Sequence, residues 1–123
     1  MIITLCGSTK FKDIYDKIAK ILTLKGHLIF SCNCFIHSEF DKKFIKKILK
    51  SQEILREVHK NKIDLSDLII VLNKNDYIGF STYNEIKYAL SKDKKVLFLE
   101  KTTFYEVNRF KEIYDKISDN FKN

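Results

Sequence analysis

A chain of 123 residues with 45% hydrophobic content is long enough for one core and too short for two, so one domain over residues 1–123 should carry one compact site. Its 23 Lys and Arg against 16 Asp and Glu give +7, which favours an anionic ligand; the charge is nearly all lysine spread beside acidic residues, so it reads first as solubilising surface, and nucleic acid is not the expected partner. An odd count of three cysteines without a secretory-type start, and no apolar run of membrane-spanning length, argue against a disulfide framework or a membrane protein and point to the cytoplasm.

Ile2 to Cys6 reads as a buried strand, closed by the turn residues Gly7-Ser8-Thr9. Phe11, Ile14, Tyr15, Ile18, Ile21 and Leu22 then recur at helical spacing up to Gly26, a natural helix stop. His27 to Ser31 reads as the second strand and Cys32 to Phe40 as a polar and aromatic loop. Asp41 to Ile63 is helical in pattern with a break near Lys50-Ser51. Leu68 to Leu72 is the third strand, Thr82 to Leu90 a helix and Lys95 to Leu99 the fourth strand. A last helix carries Phe104, Val107, Phe110, Ile113, Tyr114, Ile117 and Phe121 on one face.

Strands that are apolar throughout and alternate with helices argue a sheet covered on both faces. The expected fold is a single-domain three-layer α/β/α arrangement with a four- to five-stranded, mainly parallel sheet, of flavodoxin- or Rossmann-like type. Right-handed crossovers would gather the loops Gly7 to Lys10, Cys32 to Phe40 and Asn73 to Thr82 along one sheet edge.

Gly7, Ser8 and Thr9 supply a flexible residue, two hydroxyls and backbone N–H groups at a helix start, which can cradle an anion or a sugar or simply cap the helix. The glycine spacing matches neither a P-loop nor a dinucleotide fingerprint. Thr82-x-x-Glu85 has the spacing of a capping box, yet Glu85 also falls at the edge where the polar loops should meet, so cap and site carboxylate both stand as readings. Asp64 and Asp67 lie three apart at a helix end. Asp67 precedes the strand and suits a turn closure, while Asp64 is the better candidate for binding or proton transfer. His59, further up that helix, has an imidazole suited to acid or base work. Cys32-x-Cys34 with His37 is too tightly spaced, and lacks the second cysteine pair, for a structural zinc site; no metal or cofactor is expected. Cys6 reads as core. Arginine, the better phosphate fork, occurs only at Arg56 and Arg109.

The stretch from Asp67 through Leu72, followed by Asp76, Gly79, Ser81-Thr82-x-x-Glu85 and Ala89, together with Leu5-Cys6-Gly7-Ser8-Thr9, resembles the nucleoside 2-deoxyribosyltransferase family and its relatives, the 2'-deoxynucleoside 5'-phosphate N-hydrolases. The likeness covers most of the chain outside Cys32 to Val58. It implies that Glu85 is a nucleophile forming a covalent glycosyl-enzyme, with water or a second base as acceptor. It places Gly7, Ser8, Thr9, Ser81 and Thr82 around the sugar and any 5'-phosphate, adds Asp76 and Gly79 to the binding set, and leaves Tyr77 or Phe35 to stack on a base. It also implies a homo-oligomer whose site a neighbouring subunit completes. The chain departs from the pattern at His59, which stands where many relatives carry an acidic aspartate, so Asp64 or His59 itself would have to serve. The loop from Asp76 to Glu85 is two residues longer than in the transferases. Two other readings of the same pocket are a non-catalytic nucleotide-binding module and an NAD-type N-glycohydrolase.

Overall fold

A computed structural model describes residues 1–31 and 42–102. Four strands, β1 (Ile2–Cys6), β2 (Leu28–Phe30), β3 (Leu68–Val71) and β4 (Lys95–Phe98), form one sheet in the order β2-β1-β3-β4, and every pairing is parallel. The helices between them are α1 (Lys12–Leu24), α2 (Lys42–Lys50), α3 (Gln52–Leu65) and α4 (Phe80–Ser91). The fold is thus α/β with a flavodoxin-like strand order, as the sequence pattern predicts. None of the described helices is long and apolar enough to cross a membrane.

Alternation along the strands sorts the apolar side chains into two cores. Ile3, Leu5, Leu68, Ile70, Leu72 and Leu97 face one way and pack with Tyr15, Ile18 and Leu22 of α1. Cys6, Ile69, Val71, Val96 and Phe98 face the other way and meet Ile63 of α3 and Ile86 and Ala89 of α4. The central strands β1 and β3 are therefore buried on both sides, which is why they carry almost no charge.

Between β1 and β3 the chain direction of connection reverses: β1 leads outward to β2 on one side, and β3 leads to β4 on the other. Such a switch point opens a crevice beyond the carboxyl ends of the two strands. The turn after β1 and the segment after β3 border that crevice. Gly7 has φ 157°, and a Cβ there would stand 3.2 Å from the Leu72 carbonyl oxygen, so glycine lets the first turn pass close against β3. The Tyr15 hydroxyl donates to the Gly7 carbonyl at 2.9 Å and fixes the turn from below.

Ser51 separates α2 from α3, in keeping with the predicted break, and its hydroxyl turns back to the Lys47 carbonyl at 2.8 Å. The start of α4 differs from expectation. Gly79 occupies the cap position, with Tyr83 N–H donating to its carbonyl at 2.9 Å, and the helix begins at Phe80 rather than Thr82. Thr82 is buried inside the first turn and Glu85 lies in the second, so the two do not form a capping box. The spacing matched because an i, i+3 pair anywhere in a helix has it; glycine's extended φ and ψ at position 79 decided the true start. The loop Cys32 to Phe40 and the last predicted helix, including Phe35, His37, both loop cysteines and Arg109, fall outside the described residues.

Candidate functional site

A cavity of about 360 Å³ lies at the switch point. Its floor is the turn Gly7, Ser8 and Thr9 after β1, and one wall is Gly79, Ser81, Thr82 and Glu85 at the start of α4. The opposite wall comes from one face of α3, where Gln52, Leu55, Arg56 and His59 follow each other at helical spacing. Tyr77 and Phe80 stand at the rim, Phe80 with 82% of its surface exposed.

Each side chain is held by the local fold. His59 sits one turn before Ile63 on the buried face of α3. The end of that helix is tied to β1 where the Thr4 and Ser66 hydroxyls meet each other and both reach the Lys62 carbonyl. Glu85 lies one turn after Thr82 and just before Ile86, both buried under α4, which presents the carboxylate at the cavity edge. The outcome is a contact between His59 Nε2 and Glu85 Oε2 of 3.0 Å, with the histidine side chain 9% and the glutamate 22% exposed.

The other imidazole nitrogen, Nδ1, is buried and has no hydrogen-bond partner among the described residues. A proton on it would be an unsatisfied buried donor. The resting arrangement that satisfies most groups therefore has His59 donating Nε2–H to Glu85, which orients the carboxylate and leaves Oε1 unengaged by the histidine. Cys6 Sγ stands 3.5 Å from the same Nε2. A cysteine, histidine and glutamate relay would need the two partners on different ring nitrogens, so the trio is not a thiol-nucleophile triad. Cys6 is also fully buried, out of reach of a substrate.

Of the residues singled out in the sequence, Gly7, Ser8, Thr9, His59, Gly79, Ser81, Thr82 and Glu85 border one cavity. Asp64 does not. Its carboxylate accepts from the Tyr88 hydroxyl at 2.6 Å, and its carbonyl accepts from Lys94 Nζ at 3.0 Å, on the side of α3 toward the other end of the sheet. Asp67 accepts from the Ile2 N–H at 2.7 Å and so ties the start of β3 to the start of β1, a link between strands and not the cap or turn closure expected of it. Asp76 also stands outside the cavity lining; Asn73 Nδ2 donates to it at 3.2 Å within a left-handed turn at φ 56°. Tyr77 lines the rim, but Lys10 Nζ lies 3.4 Å from its ring centre and Phe11 meets it edge-on at 6.0 Å, so one ring face is already covered.

Arg56, noted in the sequence only as one of two arginines, was not placed in the site by sequence reasoning. It is the sole arginine among the described residues, and it shares the cavity with the Ser8-Thr9 turn. The signal available was its spacing: Gln52, Arg56 and His59 lie on one helical face, four and three residues apart. Without knowing which face of α3 looks toward the crevice, that spacing has no direction.

No family model matches the chain, and no curated protein matches it in sequence. The resemblance to deoxyribosyl-transferring enzymes rests on the motifs alone.

Proposed function

We propose that the cavity binds a deoxynucleoside or deoxynucleoside 5'-monophosphate and that Glu85 opens its N-glycosidic bond. The observation that carries this reading is the His59–Glu85 pair at 3.0 Å on the wall of a cavity whose floor is the Gly7-Ser8-Thr9 turn. A carboxylate held from one side by a hydrogen bond, with its second oxygen unengaged by that partner, suits attack on an anomeric carbon.

In the proposed reaction a Glu85 oxygen forms a bond to the anomeric carbon as the bond to the base breaks, through an oxocarbenium-like transition state. The base leaves with the bonding pair and needs a proton. His59 is the neighbouring group suited to supply it: as the imidazolium it gives up a proton from Nε2, and the neutral nitrogen then takes one from incoming water as the glycosyl ester is hydrolysed. A second base in place of water would make the same site a transferase. Help from His59 should matter most for bases that leave poorly.

Arg56 favours the monophosphate within this substrate class. A guanidinium can hold a phosphate in a two-pronged contact while the backbone N–H groups and hydroxyls of Ser8 and Thr9 meet its other oxygens. A volume of about 360 Å³ also suits one nucleotide better than a dinucleotide, which places cleavage of NAD-type bonds second. Phe80, apolar and 82% exposed at the cavity rim, supports assembly with a second copy.

The test is chromatography of a mixed deoxynucleoside and deoxynucleotide pool after incubation with the purified protein. The expected result is release of free base by the parent and none by Glu85→Gln, with the circular dichroism spectrum unchanged. Failure to release base from any of these substrates, or full activity in Glu85→Gln, overturns the reading. A nucleotide that binds tightly by calorimetry and returns intact would instead identify a binding module.

A further inference from the structure

The proposed reaction uses Glu85 and His59 and leaves unexplained the thiol placed against them. Cys6 Sγ, His59 Nε2 and a Glu85 carboxylate oxygen all lie within 4.8 Å of one another. They come from β1, α3 and α4, three segments that share nothing in sequence spacing.

We propose that Cys6, His59 and Glu85 form a zinc-binding site, and that zinc held there withdraws Glu85 from the substrate. The donor set is one thiolate, one imidazole nitrogen and one carboxylate oxygen, all ordinary zinc ligands. With metal–ligand bonds of about 2.0 to 2.3 Å, the edges of a tetrahedral site are roughly 3.3 to 3.7 Å. The His59–Cys6 edge is 3.5 Å and already fits. The His59–Glu85 edge is 3.0 Å and has to open by about 0.3 Å, a small adjustment for a partly exposed glutamate side chain. Thiolate and carboxylate together balance the charge of the ion, so the bound site is neutral where burial would penalise net charge. Glu85 borders the cavity, which leaves the fourth position to water.

Binding moves protons in a defined way. The Cys6 thiol loses its proton to solvent, and the His59 proton shifts from Nε2 to Nδ1 so that Nε2 can bind the metal. Nδ1 has no acceptor among the described residues, whereas zinc-bound histidines ordinarily donate from that nitrogen. Absence of such a partner typically weakens a site by roughly 10- to 100-fold, so this one is suited to a reversible, inhibitory ion rather than to a resident structural one.

Metal binding itself is independent of the reaction assigned to Glu85; only the inhibitory consequence rests on it. The experiment is titration of the full chain with cobalt(II), whose bond to a thiolate gives a near-ultraviolet charge-transfer band, followed by displacement with zinc chloride. The parent is expected to show the band and to lose it to stoichiometric zinc, with magnesium chloride giving neither effect. Cys6→Ser should abolish the band, and Glu85→Gln should weaken zinc binding by roughly 100-fold or more, since a ligand counts for more than its supporting partner. Cys6→Ala with an intact circular dichroism spectrum guards against loss through misfolding. Because Cys32, Cys34 and His37 also offer donors, Cys32→Ser/Cys34→Ser is the decisive comparison: it should keep the band. A band that survives Cys6→Ser, or that vanishes in the loop variant alone, places the metal elsewhere and overturns the proposal, as does no band in the parent. In the base-release assay zinc should inhibit the parent and spare the Cys6→Ser variant. If no base release exists at all, the cobalt band still decides the metal site.

Discussion

The two ends of the sheet carry similar side chains and put them to different uses. At the carboxyl ends of β1 and β3, His59, Glu85, Arg56 and the Ser8-Thr9 turn surround a cavity. At the opposite end, Asp64 and Asp67 are taken up by Tyr88 and by the first N–H of β1. His59 and Asp64 belong to the same helix and lie only five residues apart, about 7.5 Å along its axis. That distance is enough to send one into the crevice and the other to its far side. A polar residue's use here depends on which end of the strand it reaches, and chemical type alone does not decide it.

Substitutions at the two ends should therefore differ sharply. The largest effect belongs to Glu85: Glu85→Gln should lower base release on the order of 10⁴-fold or more, as loss of a nucleophile does, without loss of fold. His59→Gln comes next, with a loss of about 10²- to 10⁴-fold on natural bases, the range of general acid and base catalysis. Its deficit should shrink with a deoxyribosyl substrate whose leaving group departs without a proton. An equal deficit for both substrates would reduce His59 to a residue that positions Glu85.

Arg56→Ala should act on binding. Charge-assisted hydrogen bonds are worth about 1.5 to 3 kcal/mol, so KM for a monophosphate should rise roughly 10- to 100-fold while the unphosphorylated nucleoside is little affected. Equal effects on both would move Arg56 away from the phosphate and toward the sugar or base.

Much of this arrangement was legible in the sequence. Leu68 to Leu72 and Ile2 to Cys6 are apolar without alternation, which only a strand covered on both faces requires, and that property fixes their central place in the sheet. Once β1 and β3 are neighbours, the turns that follow them must meet, so Gly7, Ser8, Thr9, Ser81 and Glu85 were found together. The α3 wall was harder to read. Its face toward the crevice is set by how Ile63 packs into the core beneath the sheet and by the hydroxyl cluster of Thr4 and Ser66 at its end, the latter a contact between residues 62 positions apart that no local pattern encodes. Hence the sequence favoured Asp64, with His59 as a second candidate, and Arg56 had no direction. The start of α4 was misplaced for a local reason, because Gly79 caps through its backbone and leaves no side-chain signature. The Cys6, His59 and Glu85 cluster had no sequence signal at all, since each residue looks ordinary in its own element.

The smallest effects should come from the other end of the sheet, and they test the comparison most directly. Asp64→Asn and Tyr88→Phe alter a contact between α3 and α4 that faces away from the cavity, so base release should stay within about twofold of the parent, the spread expected for independent sites. Stability is another matter. The hydrogen bond from the Tyr88 hydroxyl to Asp64, helped by slight desolvation and by the negative charges of Asp64 and Glu57, raises the Tyr88 pKa above the ordinary 10.0. A native pKa above the unfolded value means that the folded chain holds this proton more tightly. The contribution is therefore complete below about pH 10 and is lost as pH rises through the raised native value. Tyr88→Phe should unfold slightly earlier than the parent in denaturant at neutral pH, and the two midpoints should converge as the solution is made strongly alkaline. A gap that stays constant with pH would assign the difference to packing of the ring, while a large fall in base release would show that the two ends of the sheet are coupled through α3.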